Sequence, residues 1–352
     1  MLSIVKRRQS GGGLRLRLLS IIIALGVSAI VIAILQYNPF EVYREIAVGA
    51  LGSLYSIKEV VRTTVPLLLM ALGVTMCFRL QFFNIGAEGQ FFMGATAAAA
   101  VALGNPDLPA PLLITLMLLA AVAGGGAWCA IPALLKLRLG TNETLVTLML
   151  NYIAVKIVAY LQFGPWKDPA SKGYPTIPQF SDNAVLPDVF GIHAGWIIAA
   201  AVFVVFYILL TKTKYGYKIN VMGENMETAR YAGFNTNWLV FISVLLGGGL
   251  SGIAGFVQAS AVEGSLTYTL SSGWGYTAII VAWLGKLKPS SVLVATLLMA
   301  VLLQGCAYIQ ISLKVPYFMA NIIQGVILFF VLATDFFSTY KIIWKQERKE
   351  VR

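Results

Sequence analysis

The stretch APLLITLMLLAAVAGGGAWCAIPAL, residues 110–134, decides the class of fold. It contains no charged side chain, and it is longer than the roughly 20 apolar residues that a helix needs to cross a bilayer. The rest of the 352-residue chain has the same character, since 58% of all residues are hydrophobic and only 12% are charged. A soluble domain carries about 25% charged residues. The chain is therefore predicted to lie in a membrane, and a single anchor with a large soluble head is excluded.

Apolar runs bounded by charges, proline or glycine predict about ten membrane-spanning helices. The predicted spans are 18–36, 64–81, 84–103, 110–134, 143–163, 195–211, 238–259, 274–286, 290–311 and 317–337. The eighth is too short to cross comfortably, so it is either a broken helix or joined to the apolar residues before Trp274. The first resembles a signal peptide, but its length and the lack of a small-residue cleavage site favour an uncleaved span. The predicted fold class is an all-α integral membrane protein, a polytopic bundle with both termini in the cytoplasm.

The basic residues are distributed as membrane topology requires, and not in one nucleic-acid-binding patch. The formal net charge is +11. With the N-terminus in the cytoplasm, 19 of the 26 Lys and Arg residues fall inside, 6 fall outside, and Lys156 lies within a span. We predict a basic cytoplasmic N-terminus at 1–17, a transmembrane domain at 18–337, a cytoplasmic tail at 338–352, and no nucleic-acid partner.

Two connections between the predicted spans are long. The outer one, 164–194, is rich in proline with scattered Asp, which favours an extended loop resting on the outer face. The inner one, 212–237, is basic at its start. Within it Asn225 is suited to cap the N-terminus of a short helix and Gly233 to end that helix. We therefore predict a small amphipathic helix parallel to the membrane on the cytoplasmic side.

The sequence predicts no catalytic centre, no metal site and no cofactor. His193 is the only histidine, which excludes a histidine metal cluster, and we interpret it as an interfacial residue. Cys77, Cys129 and Cys306 lie in apolar runs without paired spacing, so they are predicted to be buried hydrophobic residues. The glycine-rich loop that binds nucleotide phosphates and ends in Gly-Lys-Ser/Thr is missing from the sequence.

Polar side chains inside the spans are candidates for lining a translocation path, since burying them in lipid is costly. Glu88 interrupts the glycine-containing start of the third span, where it either bonds a neighbouring helix or lines the path. Asn142 and Glu143 precede the fifth span, and Asn151 falls two turns beyond Glu143, roughly on the same face. Interhelical hydrogen bonding is the default interpretation of these residues. Amide side chains can also recognise uncharged solutes. The full candidate set is Asn84, Glu88, Gln90, Asn142, Glu143, Asn151, Gln258, Gln304, Asn321 and Gln324.

Two features of the spans have simpler interpretations. Lys156 is expected to extend toward the outer headgroups while its stem stays in the bilayer. Gly248-x-x-x-Gly252 in the seventh span predicts close packing against a neighbouring helix.

Three motifs together resemble the permease subunits of bacterial ABC importers. They are FNIGAEGQ at 83–90, GTNE at 140–143 leading to MLNYIA at 149–154, and GENMETARYAG at 223–233. The resemblance runs from about Val65 to about Phe337 and is to the family of ribose-type sugar and branched-chain amino-acid permeases. The first two motifs are most similar to its nucleoside branch, whose members are often labelled simple-sugar permeases.

This resemblance implies a set of partners and a role for the inner helix. The helix would dock on an ABC ATPase subunit, and its residues would be Gly223, Glu224, Asn225, Ala229, Arg230, Tyr231, Ala232 and Gly233. Met226-Glu227-Thr228 departs from the small or basic residues more common in the family, which bears on the matching ATPase surface. The other implied partners are a second permease, commonly a different chain, and an extracytoplasmic solute-binding lipoprotein that docks on the outer loop. The implied location is the bacterial plasma membrane.

The predicted function is ATP-driven import of nucleosides, with the chain as a transport subunit and ATP hydrolysis on a separate subunit. A permease for simple sugars or other small solutes is the alternative. An ion-coupled secondary transporter would need charge embedded in the membrane, which only Glu88 and Lys156 could supply. For the inner helix, the alternative is a solvated run of charges without a partner. For the whole chain, a membrane scaffold would have no solute path, and a membrane enzyme would need a set of catalytic residues.

Overall fold

Most of the chain is α-helical. The structure, a computed structural model, describes residues 2–6 and 13–344. Its helices are α1 (Gly13–Ile34), α2 (Pro39–Leu51), α3 (Leu54–Arg79), α4 (Ala87–Gly104), α5 (Ala110–Leu139), α6 (Glu143–Phe163), α7 (Gly195–Lys212), α8 (Lys214–Glu224), α9 (Met226–Tyr231), α10 (Thr236–Gln258), α11 (Trp274–Leu284), α12 (Pro289–Ser312) and α13 (Tyr317–Thr339). The predicted N-terminus at 1–17 and tail at 338–352 fall partly on residues 1, 7–12 and 345–352, outside the described residues.

Two short strand pairs depart from the all-α prediction. β1 (Leu2–Lys6) pairs antiparallel with β4 (Tyr340–Trp344), and β2 (Asp188–Val189) pairs antiparallel with β3 (Ile192–His193). The second pair lies in the outer segment that was expected to be an extended loop. Phe190 and Gly191 form its turn with φ of 59° and 75°, and two consecutive positive φ values match the twist of a two-residue hairpin.

Six helices in the described part of the chain are long and apolar enough to cross a membrane. They are Leu54–Arg79, Ala110–Leu139, Glu143–Phe163, Gly195–Lys212, Thr236–Glu263 and Pro289–Ser312, the fifth of which includes the π-helical turn Ala259–Glu263 after α10. These match the predicted spans that begin at 64, 110, 143, 195, 238 and 290. The helices α4, α11 and α13 cover three further predicted spans but fall short of this test. A total of ten crossings therefore stays a prediction.

The first predicted span is broken in the structure. The helical segments Leu25–Ile34 and Pro39–Leu51 meet at 114°, and together they could form a seventh span. Gln36 adopts a φ of 66° at the bend. The Asn38 side chain then caps α2 by accepting a 3.1 Å hydrogen bond from the backbone N–H of Phe40. The Asn-Pro start signal of this helix was present in the sequence, but α2 was not predicted.

The chain divides into two compact units, of which Lys58–Ala300 is the larger. α10 lies at its centre and packs on α3, α4 and α5 through glycine surfaces. A Cβ atom at Gly248 would lie 2.6 Å from the Gly125 carbonyl oxygen, and one at Gly252 would lie 3.1 Å from the Ala121 carbonyl carbon. Backbones this close leave no room for side chains, so the packing predicted from Gly-x-x-x-Gly is confirmed.

The smaller unit joins Met1–Ile57 to Val301–Arg352. Among its described residues, the core is formed by Ile32, Val42, Ile46, Cys306, Ile309, Val315, Ala320, Ile323 and Ile327. The hydroxyls of Ser28 in α1 and Tyr43 in α2 lie 2.6 Å apart, and this hydrogen bond fixes the bend between the two helices.

Candidate functional sites: a buried polar network and a capped surface helix

A stripe of polar side chains on α6 holds the irregular backbone that joins α3 to α4. Glu143 accepts from the backbone N–H of Phe83 at 3.3 Å, and Thr147 accepts from that of Ile85 at 3.2 Å. Asn151 donates to the Ile85 carbonyl at 2.9 Å and accepts from the Gly89 N–H at 2.8 Å. Glu143, Thr147 and Asn151 recur every four residues, so they share one helix face. Non-helical backbone among membrane helices needs protein partners of this kind.

The Asn84 and Gln90 side chains bond each other beneath this loop. Asn84 donates to Gln90 Oε1 at 3.2 Å, and Gln90 donates to Asn84 Oδ1 at 2.9 Å. Gln90 also donates to the Cys129 sulfur at 3.0 Å. Both amides are at most 1% exposed. Asn84 also donates to the Cys77 sulfur at 3.6 Å, so the pair connects α3, α4 and α5. Cys77 and Cys129 are buried as predicted.

Glu88 joins α4 to the start of α11. Its carboxylate accepts a 2.7 Å hydrogen bond from the backbone N–H of Gly275, where the first N–H groups of α11 have no partner within that helix. Glu88 also lies in the first turn of α4. A buried carboxylate at two helix N-termini is stabilised by both helix dipoles. This contact realises the first of the two alternatives for Glu88, a bond to a neighbouring helix.

The turn between α5 and α6 holds an ion pair. Lys136 bonds Glu143, which is 8% exposed, and the Lys136 ammonium also lies 5.2 Å from the centre of the Phe82 ring. Asn142 is exposed and caps α6 by accepting from the backbone N–H groups of Thr144 and Leu145 at 3.0 and 3.2 Å. Asn142 is thus a helix cap, whereas Glu143 belongs to the buried network.

The structure brings together five of the ten predicted path residues. Asn84, Glu88, Gln90, Glu143 and Asn151 form the network around the α3–α4 loop. At its edge, Asn151 lies 3.4 Å from the hydroxyl of Tyr276, a half-buried residue of α11.

Four of the other predicted path residues have no hydrogen bond to this network in the described part of the chain. Gln258 is buried at the end of α10. Gln304, Asn321 and Gln324 belong to the smaller unit, where Gln304 and Gln324 are partly buried and Asn321 is exposed.

The predicted surface helix is present as α9. Asn225 caps it by accepting from the backbone N–H groups of Glu227 and Thr228 at 2.8 and 3.0 Å. Gly233 follows its end with a φ of 77°, a conformation that glycine adopts without strain. Tyr231 is 92% exposed, while Ala229 is buried. The helix thus has a fixed underside and presents a free aromatic side chain.

Polar contacts anchor α8, and with it α9, to the end of α3. Gln81 donates to the Gly223 carbonyl at 2.8 Å, and Arg79 donates to the Asn220 side chain at 3.1 Å. Arg79 also donates to the Leu287 carbonyl at 2.7 Å, in the turn after α11. The sequence did not predict these contacts. Each side chain pairs with a group more than 100 residues away, and the only local signal was the basic Arg79 in the last turn of α3.

The outer segment 164–194 packs on the ends of helices in the larger unit. Gln162 donates to the Pro175 carbonyl at 2.9 Å and accepts from the Tyr268 N–H at 3.0 Å. His193 is 1% exposed, which corrects its interpretation as an interfacial residue, and neither ring nitrogen has a hydrogen-bond partner in the described residues. Burial and the charge of Arg62 lower the pKa of His193 against an opposing effect of Asp188.

The buried polar network and the capped surface helix are built from the three motifs that resemble permease subunits. Residues 56–332 match the family described as the permease component of branched-chain amino acid transport systems. Because the match covers most of the sequence, the chain belongs to this permease family. The resemblance seen in the three sequence motifs is thereby confirmed.

Individual relatives match nearly the whole length. The chain is 33% identical to the glucose ABC transporter permease TsgB13 of Haloferax volcanii over 92% of this chain and 88% of that protein. It is 31% identical to the guanosine ABC transporter permease NupP of Bacillus subtilis, over 90% of this chain and 92% of the relative. It is 29% identical to the nucleoside ABC transporter permease NupB of Lactococcus lactis, over 89% of each chain.

Proposed function

We propose that the chain is the transmembrane subunit of an ATP-driven importer that moves nucleosides across a bacterial plasma membrane. The observation that carries the proposal is the similarity to guanosine and nucleoside permeases over about nine tenths of the chain. The motifs at 83–90 and 140–154, which pointed to the nucleoside branch, form the buried network between α4 and α6.

The proposed complex contains an ABC ATPase, a second permease and an extracytoplasmic solute-binding lipoprotein. In it α9 contacts the ATPase and transmits nucleotide-driven motion. Two features support this role: the helix is capped at both ends, and Arg79 and Gln81 tie its support to α3 and to the turn after α11. A force applied to α9 would therefore reach several membrane helices.

A sugar is the second candidate solute, because the relative at 33% identity is a glucose permease. Nucleosides and sugars share hydroxyl groups, and only nucleosides carry an aromatic base. The exposed hydroxyl-bearing side chain of Tyr276, 3.4 Å from the buried Asn151 amide, suits both.

Uptake by the complete complex in proteoliposomes tests the proposal. We expect ATP-dependent accumulation of labelled guanosine that persists when ion gradients are dissipated, with glucose competing weakly. Accumulation of glucose but not guanosine would establish the sugar alternative. Uptake driven by an ion gradient without ATP would refute the importer mechanism.

A further inference from the structure

We propose that the exposed face of α6 is a contact site for the transported solute. Its residues are Tyr152, Ile153, Lys156, Ile157 and Tyr160, which line a shallow groove of about 360 Å³ and are called the α6 groove below. The ligand class is a small neutral solute with an aromatic ring and hydroxyl groups, so this inference rests on the proposed function and names a site for it.

The position of Lys156 within α6 speaks against its extension to the membrane surface. Along the helix axis, at 1.5 Å per residue, Lys156 lies about 20 Å from the first residue, Glu143, and about 10 Å from the last residue, Phe163. Helical side chains tilt toward the N-terminus of their helix. The side chain therefore leaves the backbone in the direction of the middle of the bilayer, and its ammonium group would have to bend back to reach the nearer surface. In the described part of the chain, no carboxylate lies within ion-pairing distance of it.

The α6 groove differs in charge from the exposed face of α7. Both helices are candidate spans with most of their surface exposed. The exposed large side chains of α7 are Ile197, Val204, Val205, Tyr207 and Ile208, and no charge occurs between its first residue and Lys212. Lipid chains or an apolar partner helix on the α6 groove would leave a lysine charge in an apolar medium, at a cost of about 3 kcal/mol or more. A polar, water-accessible path is the environment that avoids this cost.

The groove also has the chemistry to hold a nucleoside. Tyr152 and Tyr160 are 59% and 70% exposed and flank Lys156 one turn to each side. Tyrosine faces stack on aromatic rings, and the ammonium group donates up to three hydrogen bonds to base carbonyls or ribose hydroxyls. Next to Tyr152, Asn151 is bonded to the Ile85 carbonyl and the Gly89 N–H. The groove is therefore supported by a rigid backbone.

Cysteine labelling of the complete complex tests whether the groove faces water and solute. The native cysteines are at most 2% exposed and give little background. A membrane-impermeant methanethiosulfonate cation reacts with thiolates, which form in water and not in lipid. We expect Lys156→Cys to be modified, with guanosine slowing the reaction at least about threefold, and Val205→Cys on α7 to stay unmodified. Equal protection of both cysteines, or modification of Lys156→Cys that guanosine leaves unchanged, would overturn the site.

Uptake kinetics provide the second readout. We expect Lys156→Met to raise the apparent KM for guanosine by about tenfold, the typical effect of losing a hydrogen bond to a charged group. Tyr152→Leu should raise it by about fivefold, because an aromatic stacking contact is lost. Tyr207→Leu on α7 is the control and should change KM less than about twofold. Unchanged KM in both groove variants, with normal uptake by the natural protein, would refute the site alone. Failure of the natural complex to take up guanosine would refute the nucleoside function together with this ligand class.

Discussion

At the scale of single residues, the buried amides of this chain satisfy backbone groups. Asn151 serves both the Ile85 carbonyl and the Gly89 N–H, and Asn84 accepts from the Gly86 N–H at 2.8 Å. The loop before α4 would otherwise leave these groups unpaired among apolar helices. The default interpretation of Asn151 as interhelical polar contact thus agrees with its bonds, whereas its role in a solute path stays a prediction.

Substitution of Asn151 and Asn142 separates buried bridging from exposed capping on the same helix. Asn151→Ala leaves two buried backbone groups without partners, and we expect a loss of about 3 kcal/mol of stability. Asn142→Ala removes an exposed helix cap and should cost about 1 kcal/mol. Thermal unfolding of the detergent-solubilised complex measures both. An equal or smaller effect for Asn151→Ala would contradict the bridging role.

At the scale of elements, local sequence signals predicted α9, but they did not predict the hydrogen bonds that hold its supporting helix α8 to the end of α3. Asn225 and Gly233 act within a few residues of their own position, so their roles follow from sequence. The bonds of Gln81 and Arg79 depend on how distant segments fold together, and a single sequence does not contain that information. The same reasoning explains why the bend between α1 and α2 was missed: hydropathy alone does not distinguish one straight span from two shorter helices.

The coupling role of α9 predicts a specific defect. Gly233→Pro is incompatible with a φ of 77°, and it removes the 2.9 Å bond from the Gly233 N–H to the Arg230 carbonyl. Arg230→Glu reverses an exposed charge on α9. We expect both variants to insert in the membrane but to lose transport and solute-stimulated ATP hydrolysis. Lys214→Glu, an equal charge reversal at the start of α8, is the control and should retain activity. Normal transport by both α9 variants would remove the coupling role.

At the scale of the whole molecule, composition established a membrane bundle, but hydropathy alone does not establish the number of crossings. Contacts between helix ends add a constraint, because groups that bond each other lie on the same side of the membrane. Gln81 bonds the Gly223 carbonyl, so an even number of crossings must separate them. α5, α6 and α7 supply three, and α4 is the remaining helix of sufficient length, about 27 Å. The same argument applied to Arg79 and Leu287 requires α11 and its preceding residues to return across the membrane after α10.

The even number of crossings between Gln81 and Gly223 predicts on which side of the membrane the turn between α4 and α5 lies, which hydropathy leaves open. If α4 crosses, Asp107 lies outside with Lys172 of the outer segment, and Lys218 of α8 lies inside. We expect an impermeant thiol reagent on intact cells to label Asp107→Cys and Lys172→Cys, and to label Lys218→Cys and Phe83→Cys, an exposed position in the loop before α4, only after permeabilisation. Labelling of Asp107→Cys and Phe83→Cys under the same condition would show that α4 does not cross, whereas Lys172→Cys, two crossings beyond Asp107, checks α5 and α6. If α4 crosses outward, α5 returns inward, and the connection at 135–142 lies on the cytoplasmic side. This placement agrees with the basic residues Lys136 and Arg138 in that connection.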